Sequence, residues 1–96
     1  MTIKTKFVAQ DGVGASDAID ILDTNTIRVS YGVSVTGTVT YTVQHSLDGI
    51  EYFDNTDNKD KTISNDGNYV FPVRDVRVNV TAGTGSVKLH VRQLVN

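Results

Sequence analysis

Strict alternation of apolar and polar residues is the feature that most limits what this chain can fold into. The alternation extends over four runs, at residues 27–35, 38–44, 76–81 and 87–92. Successive side chains of a strand point to opposite faces, so a period of two predicts half-buried antiparallel strands. Valine and threonine are abundant in these runs, and both fit a pleated surface. Tyr31 and Tyr41 fall on the apolar faces, so we expect both rings in the core.

Turn signals separate the runs. The pair Thr36-Gly37 suggests a tight hairpin, and polar or glycine-containing segments at residues 46–49, 65–68 and 82–85 suggest further turns. Shorter strands are predicted at residues 3–8, 18–22, 52–53, 62–63 and 69–71. Six to eight short strands with such turns predict an all-β fold, a compact antiparallel β-sandwich of jelly-roll or immunoglobulin-like type.

The chain has 96 residues, which predicts a single β-sandwich domain over residues 1–96, with residues 1–13 as an N-terminal arm or an edge strand. A domain of this size buries only roughly 60–65% of the surface of its unfolded chain, so partners can add much to its stability. Basic residues on predicted outward faces could discourage edge-to-edge aggregation. These residues are Lys4, Lys6, Arg77, Lys88 and Arg92.

Composition argues against several classes of function. The formal net charge is −2 and the basic residues are scattered, so we expect no nucleic-acid partner. No run approaches the ~20 apolar residues of a membrane-spanning helix, and residues 1–9 do not resemble a signal peptide. The chain has no cysteine, so it cannot form disulfides or a zinc–thiolate site.

Residues that could carry chemistry do not form a recognisable site. The polar segment 54–61 contains several aspartates, but it lacks the spacing of a calcium loop and includes Lys59 and Lys61. His45 and His90 each stand alone in a predicted strand. No serine lies in a nucleophile-elbow sequence, and the aspartates that recur every three residues from Asp17 are expected at strand or turn ends. We therefore expect no enzyme activity, no metal and no cofactor.

Partner contacts are expected on the N-terminal segment and on the polar loop at residues 54–61, because terminal arms and loops are not needed for the core. Tyr52 and Tyr69 flank turns, where aromatic rings are available for an interface. The predicted contact residues are Lys4, Lys6, Tyr52, Asp54, Asp57, Lys59, Asp60 and Tyr69.

Two segments resemble known β-sandwich proteins. Residues 43–53, VQHSLDGIEYF, resemble the strand–turn–strand segment of discoidin-type modules, and residues 73–80, VRDVRVNV, resemble an arginine–aliphatic strand of the same modules. In size and layout, residues 27–93 are more similar to small virion proteins of tailed bacteriophages, of the head decoration (cement) type.

The resemblance implies a structural virion protein that binds and stabilises an assembled shell. Its implied partner is the major capsid protein or another virion protein, and its implied form is a homo-oligomer, because shell sites repeat symmetrically. Its location would be the virion, after synthesis in the bacterial host cytoplasm. Two alternatives remain open: an adaptor associated with the tail, collar or fibre, and a carbohydrate-binding module, which the discoidin likeness and exposed Tyr52 and Tyr69 would favour.

Overall fold

The computed structural model describes residues 2–21 and 29–95, which contain nine β-strands and one 3₁₀ turn at Thr56–Asn58. The strands are β1 (Thr2–Asp11), β2 (Gly14–Ala15), β3 (Ile19–Asp20), β4 (Val29–Thr36), β5 (Val39–Ser46), β6 (Tyr52–Asp54), β7 (Asn65–Tyr69), β8 (Asp75–Gly83) and β9 (Ser86–Val95). No helix in these described ranges has the length and apolar character of a membrane-spanning segment.

The strands form two antiparallel sheets. The first sheet has the order β1-β9-β4-β7, and the second has the order β2-β8-β5-β6, with β3 also paired to β8. The predicted antiparallel β-sandwich is confirmed. Strands that are adjacent in sequence often lie in different sheets, as do β4 and β5.

The core lies between the sheets and consists of the residues that the alternation places on one face. Tyr31 is 3% exposed and Tyr41 is fully buried, as predicted. Most of the other core residues are valines, each of which stabilises the fold by about 1.5–3 kcal/mol when fully buried. The core residues are Ile19, Val29, Tyr31, Val33, Val39, Tyr41, Val43, Tyr69, Val73, Val76, Val78, Val80, Val87, Leu89 and Val91.

The prediction of a tight hairpin at Thr36-Gly37 was wrong, because β4 and β5 belong to different sheets. The chain crosses between sheets here, and it crosses back between β8 and β9. The two crossings lie against each other: the amide of Gly85 donates to the carbonyl of Thr38 at 3.0 Å. A Cβ at Gly83 would collide with the backbone of Thr38, and Gly83 also has a φ of 99°. The glycines therefore allow two backbone crossings to pack at one end of the sandwich.

The predicted turn at residues 65–68 is instead most of strand β7, which pairs with β4. Its glycine is needed for packing rather than for turning, because a Cβ at Gly67 would lie 2.6 Å from the hydroxyl oxygen of Tyr31. Residues 62–63 form no strand; only an isolated bridge joins Lys61 to Tyr41.

Several other predictions concern the ends of the described ranges. In the predicted strand at residues 18–22, strand structure covers Ile19–Asp20, and Leu22 lies outside the described residues. The first two residues of the alternating run at 27–35 also lie outside them, as does Asp23.

Candidate functional site

Strand β1 is an edge strand with little cover. Among the described residues it pairs only with β9, so its second edge of backbone N–H and C=O groups has no strand beside it. The side chains from Ile3 to Phe7 are all exposed, although they alternate between the two faces of the sheet. Ile3 is 53% exposed and Phe7 is 65% exposed. Both faces of this part of β1 are therefore exposed, and no other strand of the described residues occupies its second edge.

The lysines of β1 lie on the core side of the sheet, which corrects the prediction that they face outward. Lys4 is paired with the buried Gln93, and Lys6 with the buried Val91. Directly paired residues of antiparallel strands share a face. The lysines are nevertheless exposed at this edge of the sheet. A groove of about 500 Å³ lies there, with Val8 and Ile19 among its lining residues.

The outer face of β1 carries the exposed aromatic ring of Phe7. Its centroid lies 6.2 Å from that of His90, and the ammonium of Lys88 lies 5.1 Å from it. These contacts fix the orientation of the ring and leave it available for contact with another molecule.

The opposite side of the molecule has a small opening between β6 and β7, lined by aromatic rings. His45 lies on the core face of β5, directly opposite Phe53 of β6, and the two ring centroids are 6.2 Å apart. Tyr69 and Phe71 pack edge-on against the imidazole, at 5.0 Å and 5.7 Å. Nδ1 of His45 lies 3.0 Å from the hydroxyl oxygen of Tyr69. Phe53 and Phe71 each expose about half of their surface, so the opening has an apolar entrance.

Carboxylates complete the opening, which measures about 160 Å³ and is called here the aromatic–acidic pocket. Asp54 accepts a hydrogen bond of 2.9 Å from the side chain of Gln44 and lies 3.7 Å from the ammonium of Lys59. Asp57 forms no ion pair with any described residue. The full lining is His45, Asp54, Asn55, Thr56, Asp57, Asn68, Tyr69 and Phe71.

Burial determines the ionisation of the two polar groups at the base of the pocket. It lowers the pKa of His45, and the nearby carboxylate of Asp54 opposes this only in part. It also raises the pKa of Tyr69 well above its usual value. At neutral pH both groups are uncharged, so the charge of the pocket comes from the aspartates at its rim.

The loop at residues 54–61 is polar enough to suggest a surface loop, but two of its residues are buried. Asn58 is 1% exposed, donates a 2.7 Å hydrogen bond to the hydroxyl of Tyr31, and accepts one of 2.9 Å from Asn65. Asn55 is also buried and caps the 3₁₀ turn by accepting from the amide of Asp57. Polar side chains with hydrogen-bond partners inside the protein therefore close this side of the sandwich. Composition alone cannot distinguish such buried polar residues from solvated ones.

The structure brings together three of the predicted contact residues, Asp54, Asp57 and Tyr69, and only the aspartates are exposed. The prediction that Tyr69 is an exposed contact residue was wrong, because it is 1% exposed and faces the core opposite Val29. Lys59 and Asp60 lie on the surface of the same loop.

Tyr52 is on the outer face of the second sheet, where the guanidinium of Arg77 lies 3.7 Å from the centre of its ring. Lys4 and Lys6 are at the other edge of the molecule.

The sequence interpretation missed His45 and Phe71 as pocket residues. The alternation through Tyr41 and Val43 would have placed His45 on the core face. No local pattern, however, indicates that this part of the core is open to solvent.

This arrangement of aromatic rings and carboxylates can bind a ligand. Within the described residues, no group of three or more His, Asp or Glu side chains is placed to hold a metal ion. The half-exposed rings of Phe53 and Phe71 can pack against an aliphatic stem, and the aspartates can interact with a positively charged group. The pocket therefore suits a long basic side chain.

No protein-family model and no curated protein matches this chain. Among solved structures, it is similar to one described as "Bacillus endospore appendages form a novel family of disulfide-linked pili". The sequence identity is 22% and the TM-score is 0.43, over 99% of this chain and 90% of that one. Such a similarity is too low to transfer a function.

Proposed function

We propose that this domain is a structural protein without catalytic activity, which joins an assembly by adding its β1 edge to the sheet of a neighbouring protein. The observation that carries the proposal is the state of β1: a ten-residue strand paired on one side, with five consecutive side chains exposed on both faces. A long open edge is a template for another strand, and strand addition is a common mode of protein recognition.

The exposed side chains of β1 would strengthen and restrict such a contact. Ile3 and Phe7 each expose more than half of their surface to solvent, and covering this surface would contribute about 1–2 kcal/mol for each side chain. Lys4 and Lys6 point inward at the edge, which is a known means of preventing indiscriminate pairing. They favour a partner with acidic groups at the matching positions.

The proposed setting is the particle of a tailed bacteriophage, where the protein would bind the outside of the shell. The support is the resemblance of residues 27–93, in size and layout, to small decoration proteins. Partners would be the major capsid protein and other copies of this chain, and synthesis would take place in the host cytoplasm. Sites repeat over a shell, so each contact can be modest and avidity supplies the rest. An adaptor role in the tail, collar or fibre would use the same edge.

A carbohydrate-binding role loses part of its motivation. It rested on the discoidin likeness and on Tyr52 and Tyr69 as exposed aromatic residues. Tyr69 is buried, and the ring of Tyr52 is covered by the guanidinium of Arg77. We therefore do not propose this role.

Sedimentation of the purified chain, alone and mixed with undecorated phage capsids, tests the proposal. The double substitution Ile3→Ser and Phe7→Ser removes the exposed apolar surface of β1 without touching the core. Leu47→Ser with Ile50→Ser is the matched control, because both of its side chains are also exposed and lie in the turn after β5. We expect the β1 variant to bind at least about thirtyfold more weakly, and the control to bind like the wild type.

A wild-type chain that neither self-associates nor sediments with capsids would contradict the proposal. Equal losses in the β1 variant and the control would contradict the assignment of the contact to β1.

A further inference from the structure

Strands β1 and β7 are the two edges of one sheet, and they run in opposite directions. Each adjacent pair in the order β1-β9-β4-β7 is antiparallel. A second copy, moved across the sheet without turning over, therefore brings its β1 antiparallel to β7 of the first. The core sides of both copies then remain on the same side of the extended sheet.

The register within one copy shows which residues would meet. Following direct cross-strand partners from β1 through β9 and β4 to β7 brings Lys4 to the level of Tyr69 and Lys6 to the level of Gly67. All four residues are on the core side of the sheet. A copy added at the same level therefore directs its two lysines toward the space between β6 and β7.

That space is the aromatic–acidic pocket. Phe71 lines it and Phe53 lies beside it against His45, each with about half of its surface exposed, and Asp54 and Asp57 are exposed at its rim. The aliphatic stem of a lysine can pack on aromatic rings while its ammonium contacts a carboxylate. The β1 edge carries basic residues on the core side of the sheet, and the β7 edge of the same sheet borders an acidic opening on that side. The two edges therefore complement each other in strand direction and in charge.

We infer that the neighbour of β1 is the β7 edge of a second copy of this chain, with Lys4 of one copy in the aromatic–acidic pocket of the next and Lys6 beside that pocket. The inference rests on the proposed function and specifies one of its partners. The contact joins different surfaces of the two copies, so it does not close on itself as a twofold dimer does. Because sheets twist, repeated addition would produce a helical row of subunits.

Charge reversal tests the contact in sedimentation velocity experiments on the full chain. Lys4→Glu with Lys6→Glu reverses the basic edge. Arg74→Glu with Arg92→Glu is the control, because it makes the same change in formal charge at two exposed residues that lie outside β1 and outside the pocket lining. We expect wild type and control to associate with rising concentration, and the edge variant to need about tenfold more protein.

Asp57→Lys reverses a charge at the rim of the pocket, and it removes no ion pair between described residues. We expect this variant to associate as weakly as the Lys4→Glu/Lys6→Glu variant. An equimolar mixture of the two should associate again, because each supplies the charge that the other lacks. Thermal unfolding followed by circular dichroism checks that each variant is folded, and exposed positions should leave the midpoint near that of the wild type.

Introduced cysteines test the register, and the natural chain has none to interfere. Thr5 of β1 is level with Asn68 of β7 on the outer face. A mixture of the Thr5→Cys and Asn68→Cys variants should form a disulfide heterodimer under mild oxidation. Thr81→Cys, exposed on the second sheet, should not cross-link to Thr5→Cys at the same rate.

The inference is overturned if the wild-type chain is a monomer at all concentrations, even when it binds capsids. It is also overturned if association occurs but does not respond to Asp57→Lys, or if the mixture fails to restore association. Capsid binding by a monomeric chain would leave the proposed function standing, so the two failures are distinguishable.

Discussion

Asn58 provides the sharpest test of how the side of the sandwich is closed. Its side chain is 1% exposed, donates to the hydroxyl of Tyr31 at 2.7 Å and accepts from Asn65 at 2.9 Å. Asn58→Ala removes both hydrogen bonds, each of which contributes about 1 kcal/mol net. It also takes a partner from the buried Tyr31 hydroxyl, which costs about 1–3 kcal/mol. We expect the free energy of unfolding to fall by about 3 kcal/mol.

Urea unfolding measures this loss, provided that the slope against denaturant is unchanged. For a domain of this size the corresponding fall in the melting temperature is roughly 10–20 °C. Asn68→Ala is the matched control, because Asn68 is an exposed asparagine in β7; its loss should stay within about 0.5 kcal/mol.

A double-mutant cycle with Tyr31→Phe isolates the hydrogen bond between the two side chains. The two substitutions should be non-additive by about 1 kcal/mol, since either one removes the same interaction. If Asn58→Ala and Asn68→Ala cost the same small amount, the loop at residues 54–61 is solvated and the account of a closed side wall is refuted.

Raising the pH and replacing a closely packed glycine should both lower the stability of the fold. Burial raises the pKa values of three tyrosines, Tyr31, Tyr41 and Tyr69. The stability that this burial provides should be retained below about pH 10, the pKa of tyrosine in the unfolded chain. Above that pH the free energy of unfolding should fall by up to ~1.4 kcal/mol per pH unit for each ring, as urea unfolding between pH 9 and 12 can measure. A flat profile would contradict the burial of these rings. Gly83→Ala should destabilise the fold by about 3 kcal/mol or more, because its Cβ would collide with the Thr38 backbone. Gly12 also has a positive φ but lies in open space, so Gly12→Ala should cost only about 1 kcal/mol in thermal unfolding. Equal costs would contradict the close packing of the crossings.

The alternation in the sequence predicted most of the core and the two-layer fold. Tyr31 and Tyr41 are buried where the period of two placed them, because one face of each strand must meet the other sheet. The same signal fails at the lysines of β1. Residues 3–9 carry apolar groups on both faces, so only the pairing with β9 decides that Lys4 and Lys6 lie on the core side.

The polar segments were harder to interpret. Residues 65–68 have the composition of a turn but form an edge strand, because pairing with β4 and packing of Gly67 against Tyr31 override local preference. Asn58 is polar and yet buried, because its hydrogen-bond partners come from β4 and β7. The pocket is likewise formed by residues far apart in sequence, so no local pattern predicts it.

The central claim is that a strand of a neighbouring protein covers the open edge of β1 in the assembled state. Amide hydrogen exchange, compared between dilute monomer and assembled protein, tests it directly. The account predicts that slow exchange extends to more amides of β1 on assembly, while amides of Val29–Val33 in β4, where the strand is already paired on both sides, do not change. Assembled protein in which β1 exchanges as fast as in the monomer would contradict the claim.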